Sequence, residues 1–175
     1  MSAAFDRLAG ALDPAMLVVT AVAGSERDGC LIGFHAQTSI DPVRYEVRLS
    51  KANRTCRVAL FAERLGVHAL EAGDVDLAEL FGEQTGDEVD KLAACALDGD
   101  DPPLLAQCRN RFVLRVRSIS DDGGDHVAFV GEVVNARSRS AFVPLRLSAV
   151  AHLDAGHEAT ERQDPSDAGT HRAHN

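Results

Sequence analysis

Residues 29–55 read GCLIGFHAQTSIDPVRYEVRLSKANRT. An apolar segment, Cys30 to Ala36, predicts one strand, and the Asp41-Pro42 dipeptide predicts the turn that ends it. Beyond the turn the chain alternates strictly: Val43, Tyr45, Val47 and Leu49 share one side, Arg44, Glu46 and Arg48 the other. That period of two is the mark of a strand with one buried face. Its closing loop, SKANRT (Ser50 to Thr55), stands at the mouth of a helix expected over Cys56 to Arg64. Hydroxyl, ammonium, amide and guanidinium donors are packed there beside backbone N–H groups of the first helical turn. An anionic ligand, most simply a phosphate, suits such a corner.

The charge pattern sharpens this. The chain carries 18 Lys+Arg against 27 Asp+Glu, a formal net charge of -9. Between Arg44 and Arg57, however, Arg44, Arg48, Lys51, Arg54 and Arg57 face Glu46 alone, five cations against one carboxylate. A concentrated cationic spot on an acidic chain fits a small, specific anion better than nucleic acid, which calls for an extended basic face. A solvated strand face and helix surface is the competing reading, strongest for Arg44, Arg48 and Arg57.

Upstream, Phe5, Leu8 and Leu12 recur at helical spacing, predicting a helix over Ala3 to Leu12. MLVVTAVA (Met16 to Ala23) is too apolar and β-branched for a surface helix and predicts a buried strand, with GSERDG as the turn back into Cys30 to Ala36. Downstream, Val67 to Leu70 predicts a brief strand, and Asp74 the cap of a helix, VDLAELF, ending at Gly82. A further helix is expected over Glu88 to Leu97, then an irregular DGDDPP loop without the ligand spacing of a calcium site. Arg111 to Ile119 and His126 to Asn135 form a long hairpin about SDDGGD, and Phe142 to Leu153 a last strand. The expectation is one domain over residues 1–155 and a polar, disordered tail over 156–175. Successive strands without crossover helices indicate a mainly β, α+β fold, an antiparallel barrel with a few short helices, and disfavour a doubly wound sheet.

Composition limits the function classes. Hydrophobic content of 45% and charged content of 26% are ordinary for a globular protein. No apolar run is long enough to span a membrane, and the N-terminus lacks a secretory pattern, so a cytoplasmic chain is expected. Cys30, Cys56, Cys95 and Cys108 form no C-x-x-C pair and read as reduced, mostly buried thiols. The histidines show no metal-ligand spacing, and no metal site is expected.

Taken in order, LVVTAVA, the glycine-led strand with its TSIDP turn, SKANRT, VHAL, LAELFG, GDEVDKL, GDHVAFVGEVV and LDAGHEA resemble the flavin reductase-like family, whose fold is the FMN-binding split barrel. The resemblance spans roughly residues 5–157. It implies a homodimer that binds FMN, or FAD, in a cleft near the subunit interface, with NADH or NADPH as electron donor and a monooxygenase as one possible recipient of the reduced flavin. By position, Gly33, Phe34, His35, Ala36, Gln37, Thr38 and Ser39 would lie along the flavin ring and ribityl chain, and Ser50, Lys51, Asn53, Arg54 and Thr55 would hold its phosphate. His126 matches a histidine that lies near the flavin and the nicotinamide in relatives. A membrane or nucleic-acid partner is not implied.

Alternatives stay open at several positions. His126 is either that cofactor-side histidine or a turn-end residue bonded to the SDDGGD backbone. His35 either packs on the flavin edge or fills the core, and His157 either reaches the cleft or lies on the surface. Asp87 and Lys91 read as an exposed helix pair, with a dimer contact as the alternative. Many relatives carry small hydroxyl residues at the positions of Gly33 and Phe34, and an aromatic-rich segment in place of VPLRLSAV. These departures give weight to a second class of function, a flavin-binding carrier, sensor or partner subunit. A purely structural barrel dimer is the third.

Overall fold

The apolar run after Met16 becomes β1 (Leu17–Ala23), and both of its faces are covered. Leu17, Val19 and Ala21 enter one buried cluster, while Met16 and Val18 enter a second. That is why the segment lacks the alternation of a half-exposed strand. The computed structural model describes residues 3–139 and 141–154.

β1 turns back at Gly24–Ser25 into β2 (Glu26–Ile32), so the strand begins within the residues expected to form the turn. Gly24 takes a positive φ of 58°, a conformation that suits glycine. β2 stops at Ile32 and the chain resumes as β3 (His35–Ser39), so the single strand expected over Cys30 to Ala36 is interrupted at Gly33–Phe34. β4 (Arg44–Ser50) follows with the expected alternation, its Val47 and Leu49 fully buried.

The main sheet has seven antiparallel strands in the order β2-β1-β5-β8-β9-β4-β3, with β5 at Arg64–Ala69, β8 at Arg111–Asp121 and β9 at His126–Arg137. Its two outermost strands, β2 and β3, are consecutive in the chain. One bent segment therefore supplies both edges: β2 pairs with β1, and β3 pairs with β4. The Arg48 amide donates to the Phe34 carbonyl at 2.9 Å, which fixes the bend against β4. This is the split-barrel arrangement, mainly β with short helices.

Helix α1 (Ala3–Leu12) carries no buried residue; Phe5, Leu8 and Leu12 are all exposed. Helix α2 (Arg54–Ala59) starts two residues earlier than its pattern suggested and ends before Arg64, which belongs to β5. Its Cys56, Val58 and Ala59 join the first cluster, around Leu65, Leu114 and Phe129. Helix α3 (Val75–Glu83) buries Leu77, Ala78 and Phe81 in the second cluster. Asp74 does not cap it through its side chain; the carboxylate accepts the Glu71 amide instead.

Three expectations fail here. Only Lys91–Ala94 is helical between Glu88 and Leu97, as a short 3-10 turn. Lys91 does not stand on an exposed helix face: it is buried, with its ammonium 3.6 Å from Asp28 and 3.0 Å from the Gln84 carbonyl. The DGDDPP loop belongs to a small hairpin, β6 (Leu97–Asp100) and β7 (Pro103–Leu105). Finally, Phe142 to Leu153 is no strand. It makes two isolated bridges, Pro144 to Glu71 and Arg146 to Ala15, then a 3-10 turn at Leu147–Val150. His157 and the expected tail lie outside the described residues.

Candidate functional site

A cleft of about 420 Å³ opens where the bend at Gly33–Phe34 meets three other parts of the chain. Small-ligand sites commonly measure ~300–1,000 Å³. β2 and the bend contribute Leu31, Ile32, Gly33 and Phe34; β4 and its loop contribute Arg48, Ser50 and Asn53. The β8–β9 turn brings Asp125 and His126, and the 3-10 turn brings Leu147 and Val150. Phe81 of α3 and Met16 complete much of the apolar lining. The cavity thus combines a large greasy surface with a cationic and hydrogen-bonding contribution from the β4 loop. A planar heterocycle with a polar or anionic tail fits that combination.

Phe34 is 59% exposed at the cleft, and its ring meets His126 edge-on, with centroids 5.1 Å apart at 66°. His126 Nδ1 donates to the Asp125 carboxylate at 2.7 Å. That bond goes to a side chain, not to the turn backbone, and in the neutral ring it leaves the lone pair on Nε2. His126 in turn holds the Asp125 carboxyl below the usual carboxylate range.

The five residues expected at a phosphate divide sharply. Ser50 and Asn53 line the cleft. The Asn53 side chain also accepts the Thr55 amide at 3.1 Å and so caps α2. Lys51, between them in sequence, is not among the lining residues; its ammonium lies 2.7 Å from Asp121. The Arg54 guanidinium pairs with Glu26 and donates to the Arg27 carbonyl at 3.1 Å. Thr55 is buried, its hydroxyl donating to Asp28 at 2.9 Å. Neither Arg54 nor Thr55 lines the cleft, because acidic residues of β2, 27 and 28 positions away, fold over them.

Of the residues expected along the flavin ring and ribityl chain, only those of the bend before β3 reach the cavity. Gly33 and Phe34 line it; His35, Ala36, Gln37, Thr38 and Ser39 do not. His35 is half-buried, with Nε2 donating to the Ala15 carbonyl at 2.8 Å and Nδ1 accepting from the Tyr45 hydroxyl at 2.6 Å in the neutral ring. It stacks on Tyr45, with centroids 5.8 Å apart. These are the contacts of its second reading, a histidine that fills the core. Ala36, Gln37 and Thr38 are exposed on the edge strand.

Arg48, for which a solvated face and a part in the cationic cluster are both open, lines the cleft and bonds Glu46 at 2.8 Å and Asp122 at 3.0 Å. Asp125 and the apolar wall of Leu147 and Val150 were not singled out at all. VPLRLSAV offered one signal: a segment that departs from its relatives is a good candidate for a specificity wall. Among the described residues no group of His, Cys, Asp and Glu is placed to hold a metal ion, and no helix is long and apolar enough to cross a membrane. All four cysteines are free thiols.

Comparison with known proteins agrees with this fold. The sequence model described as the flavin reductase like domain matches residues 10–148. The chain is 30% identical over 140 residues to the FMN reductase (NADH) SmoA of Agrobacterium fabrum, covering 79% of this chain and 78% of that one. Among solved structures, it superposes on the NADH:FAD oxidoreductase SgcE6 of Streptomyces globisporus with a TM-score of 0.71, at 25% identity, covering 80% and 84% of the two chains. An FMN-binding protein from Thermus thermophilus superposes with a TM-score of 0.67 at 26% identity, covering 74% of each chain.

Proposed function

This chain belongs to the flavin reductase-like family, and on that premise we propose that it is an NAD(P)H:flavin oxidoreductase taking FMN, or FAD, into the cleft at the Gly33–Phe34 bend. One observation carries the reading: the bend, the β4 loop and His126 converge on a single cavity that is apolar along one part of its lining and cationic along another. The flavin supplies the redox chemistry, accepting hydride from the nicotinamide. The protein's task is to bind and orient both rings.

Gly33, Phe34 and the apolar lining would receive the flavin ring, with the backbone amides of the bend as hydrogen-bonding partners. Arg48, Ser50 and Asn53, with Lys51 beside them, would hold the phosphate. Charged hydrogen bonds of this kind contribute roughly 1.5–3 kcal/mol each. His126, oriented by Asp125, would border the nicotinamide position and hold the amide or a developing charge at Nε2. No proton transfer is strictly required, so the site needs no acid-base pair; positioning supplies the rate.

A homodimer is part of the same proposal. Its support is the exposed apolar stripe of α1 and the exposed edge strand β3, which a second copy would cover. His35 through Ser39 would then reach a flavin only in the assembled dimer. A cytoplasmic setting and delivery of reduced flavin to a monooxygenase belong to the reading as well, the first supported by the free thiols.

The test is a coupled one. Purified protein mixed with NADH or NADPH and FMN should consume the nicotinamide, seen as loss of its near-ultraviolet absorbance. Flavin binding without nicotinamide oxidation would sink the reductase reading in favour of a carrier.

A further inference from the structure

The cationic loop beside the cleft already has an anion. Lys51 Nζ lies 2.7 Å from Asp121 Oδ2, and Arg48 Nη1 lies 3.0 Å from Asp122 Oδ2. Asp121 is the last residue of β8 and Asp122 the first of the turn to β9, and both are pre-aimed by that turn. Asp121 Oδ1 accepts the Gly123 amide at 2.9 Å and Asp122 Oδ1 accepts the Gly124 amide at 3.2 Å. Gly123 has a φ of 86°, a conformation that lets the turn fold back on its own aspartates. The turn is also fastened to the loop through its backbone, since the Lys51 amide donates to the Asp125 carbonyl at 2.9 Å.

The side-chain half of this arrangement is the exchangeable half. Asp121 and Asp122 are 50% and 61% exposed, so breaking their pairs costs little in water. Lys51 holds the Asp121 carboxyl below the usual carboxylate range, with help from the Gly123 amide; Arg48 does the same for Asp122, with help from Gly124. Both are therefore ionised at neutral pH. A phosphate brought to Arg48, Ser50 and Asn53 would meet two negative charges aimed at the same cations.

We propose that Asp121 and Asp122 are a built-in counter-anion that competes with the flavin's phosphate for Lys51 and Arg48, and that they set how loosely this protein holds a phosphorylated flavin. The proposal rests on the flavin reading of the cleft and deepens it. The carboxylates occupy the cations while the cleft is empty and yield them when the phosphate arrives. Each exchange trades one ion pair for another, so net affinity stays modest and the flavin can leave after reduction. The aspartates are affinity-determining residues and need not touch the ring.

The experiment compares FMN with riboflavin, which has the same ring and ribityl chain but no phosphate. Dissociation constants for both are measured by quenching of flavin fluorescence, on the wild-type chain and on Asp121→Asn/Asp122→Asn. Asparagine keeps the Oδ1 that accepts the glycine amide, so the turn is retained, and circular dichroism checks the fold. Removing two exposed ion pairs that compete for the same cations predicts FMN binding tighter by about 2- to 30-fold, with riboflavin unchanged. FMN affinity that stays the same or falls overturns the proposal, as does equal tightening of both flavins. If neither flavin binds the wild-type chain, the underlying flavin reading fails first and takes this inference with it. If both flavins bind the wild-type chain and only FMN binds the variant more tightly, the reading and the inference stand together.

Discussion

Replacing Lys91 with methionine should cost this fold about 3–5 kcal/mol. The Lys91 side chain is 0% exposed and the Asp28 side chain 3%, with 3.6 Å between ammonium and carboxylate. At an effective dielectric constant of ~20 a pair at that separation is worth roughly 4–5 kcal/mol. The Thr55 hydroxyl, donating to Asp28 at 2.9 Å, remains in the variant and offsets part of the loss. Against that, the Gln84 carbonyl loses its 3.0 Å donor. An uncompensated buried charge costs about 3–5 kcal/mol when its partner is removed, which matches this sum of effects. Urea unfolding followed by far-ultraviolet circular dichroism reads it directly. With a slope of roughly 2 kcal/mol per molar urea, the midpoint should fall by about 2 M. The double variant Lys91→Met/Asp28→Asn should recover most of the loss, because it removes the orphaned charge. A single-variant loss below about 1 kcal/mol, or no recovery in the double variant, would refute the account of this pair.

Three further outcomes are expected. His68 is fully buried, accepts the Leu105 amide at Nε2 and donates from Nδ1 to the Val18 carbonyl, and burial pushes its pKa down to about 4. The unfolded chain therefore takes up this proton near the ordinary value of ~6.5 while the folded chain resists it, so up to about 3 kcal/mol of stability should disappear as pH falls from 6.5 to 4; urea midpoints at several pH values, compared with His68→Asn, measure it. At Gly86 an added Cβ would land on the Asp28 carboxylate, which is itself held by Thr55 and Lys91, so Gly86→Ala should destabilise by roughly 1–3 kcal/mol in thermal unfolding. Lys51→Ala should weaken FMN binding by about 0.5–1.5 kcal/mol, the net left after its Asp121 pair is exchanged, whereas Arg54→Ala, whose guanidinium serves Glu26 and the Arg27 carbonyl, should change it by less than about 0.5 kcal/mol in a fluorescence titration.

Legibility in the sequence followed the range of the interactions. LVVTAVA and VRYEVRLS announced β1 and β4 because burial imposes a local period, continuous for a strand covered on both faces and alternating for one covered on a single face. Lys91 could not be read that way. Its placement depends on Asp28, 63 residues earlier, and a lone lysine in a polar stretch looks like a surface residue until that partner folds beside it. Arg54 and Thr55 failed for the same reason, since the donors that make SKANRT look like a free anion site are partly consumed by Glu26 and Asp28. The cavity itself was half visible. Gly33, Phe34, Ser50, Asn53 and His126 were named from the chain as site residues and Arg48 as one of its clustered cations, but Asp125, Leu147 and Val150 join them only through the β4–β9 pairing and the crossing of the last segment beside Met16 and Leu70.

The most direct test of the central claim is the visible spectrum of the purified protein titrated with FMN and then mixed anaerobically with NADH or NADPH. The account predicts a perturbed visible flavin band that saturates with FMN, weakens for Lys51→Ala, and bleaches once nicotinamide is added. An FMN spectrum left unaltered by the protein, with no bleaching from either nicotinamide, would contradict it.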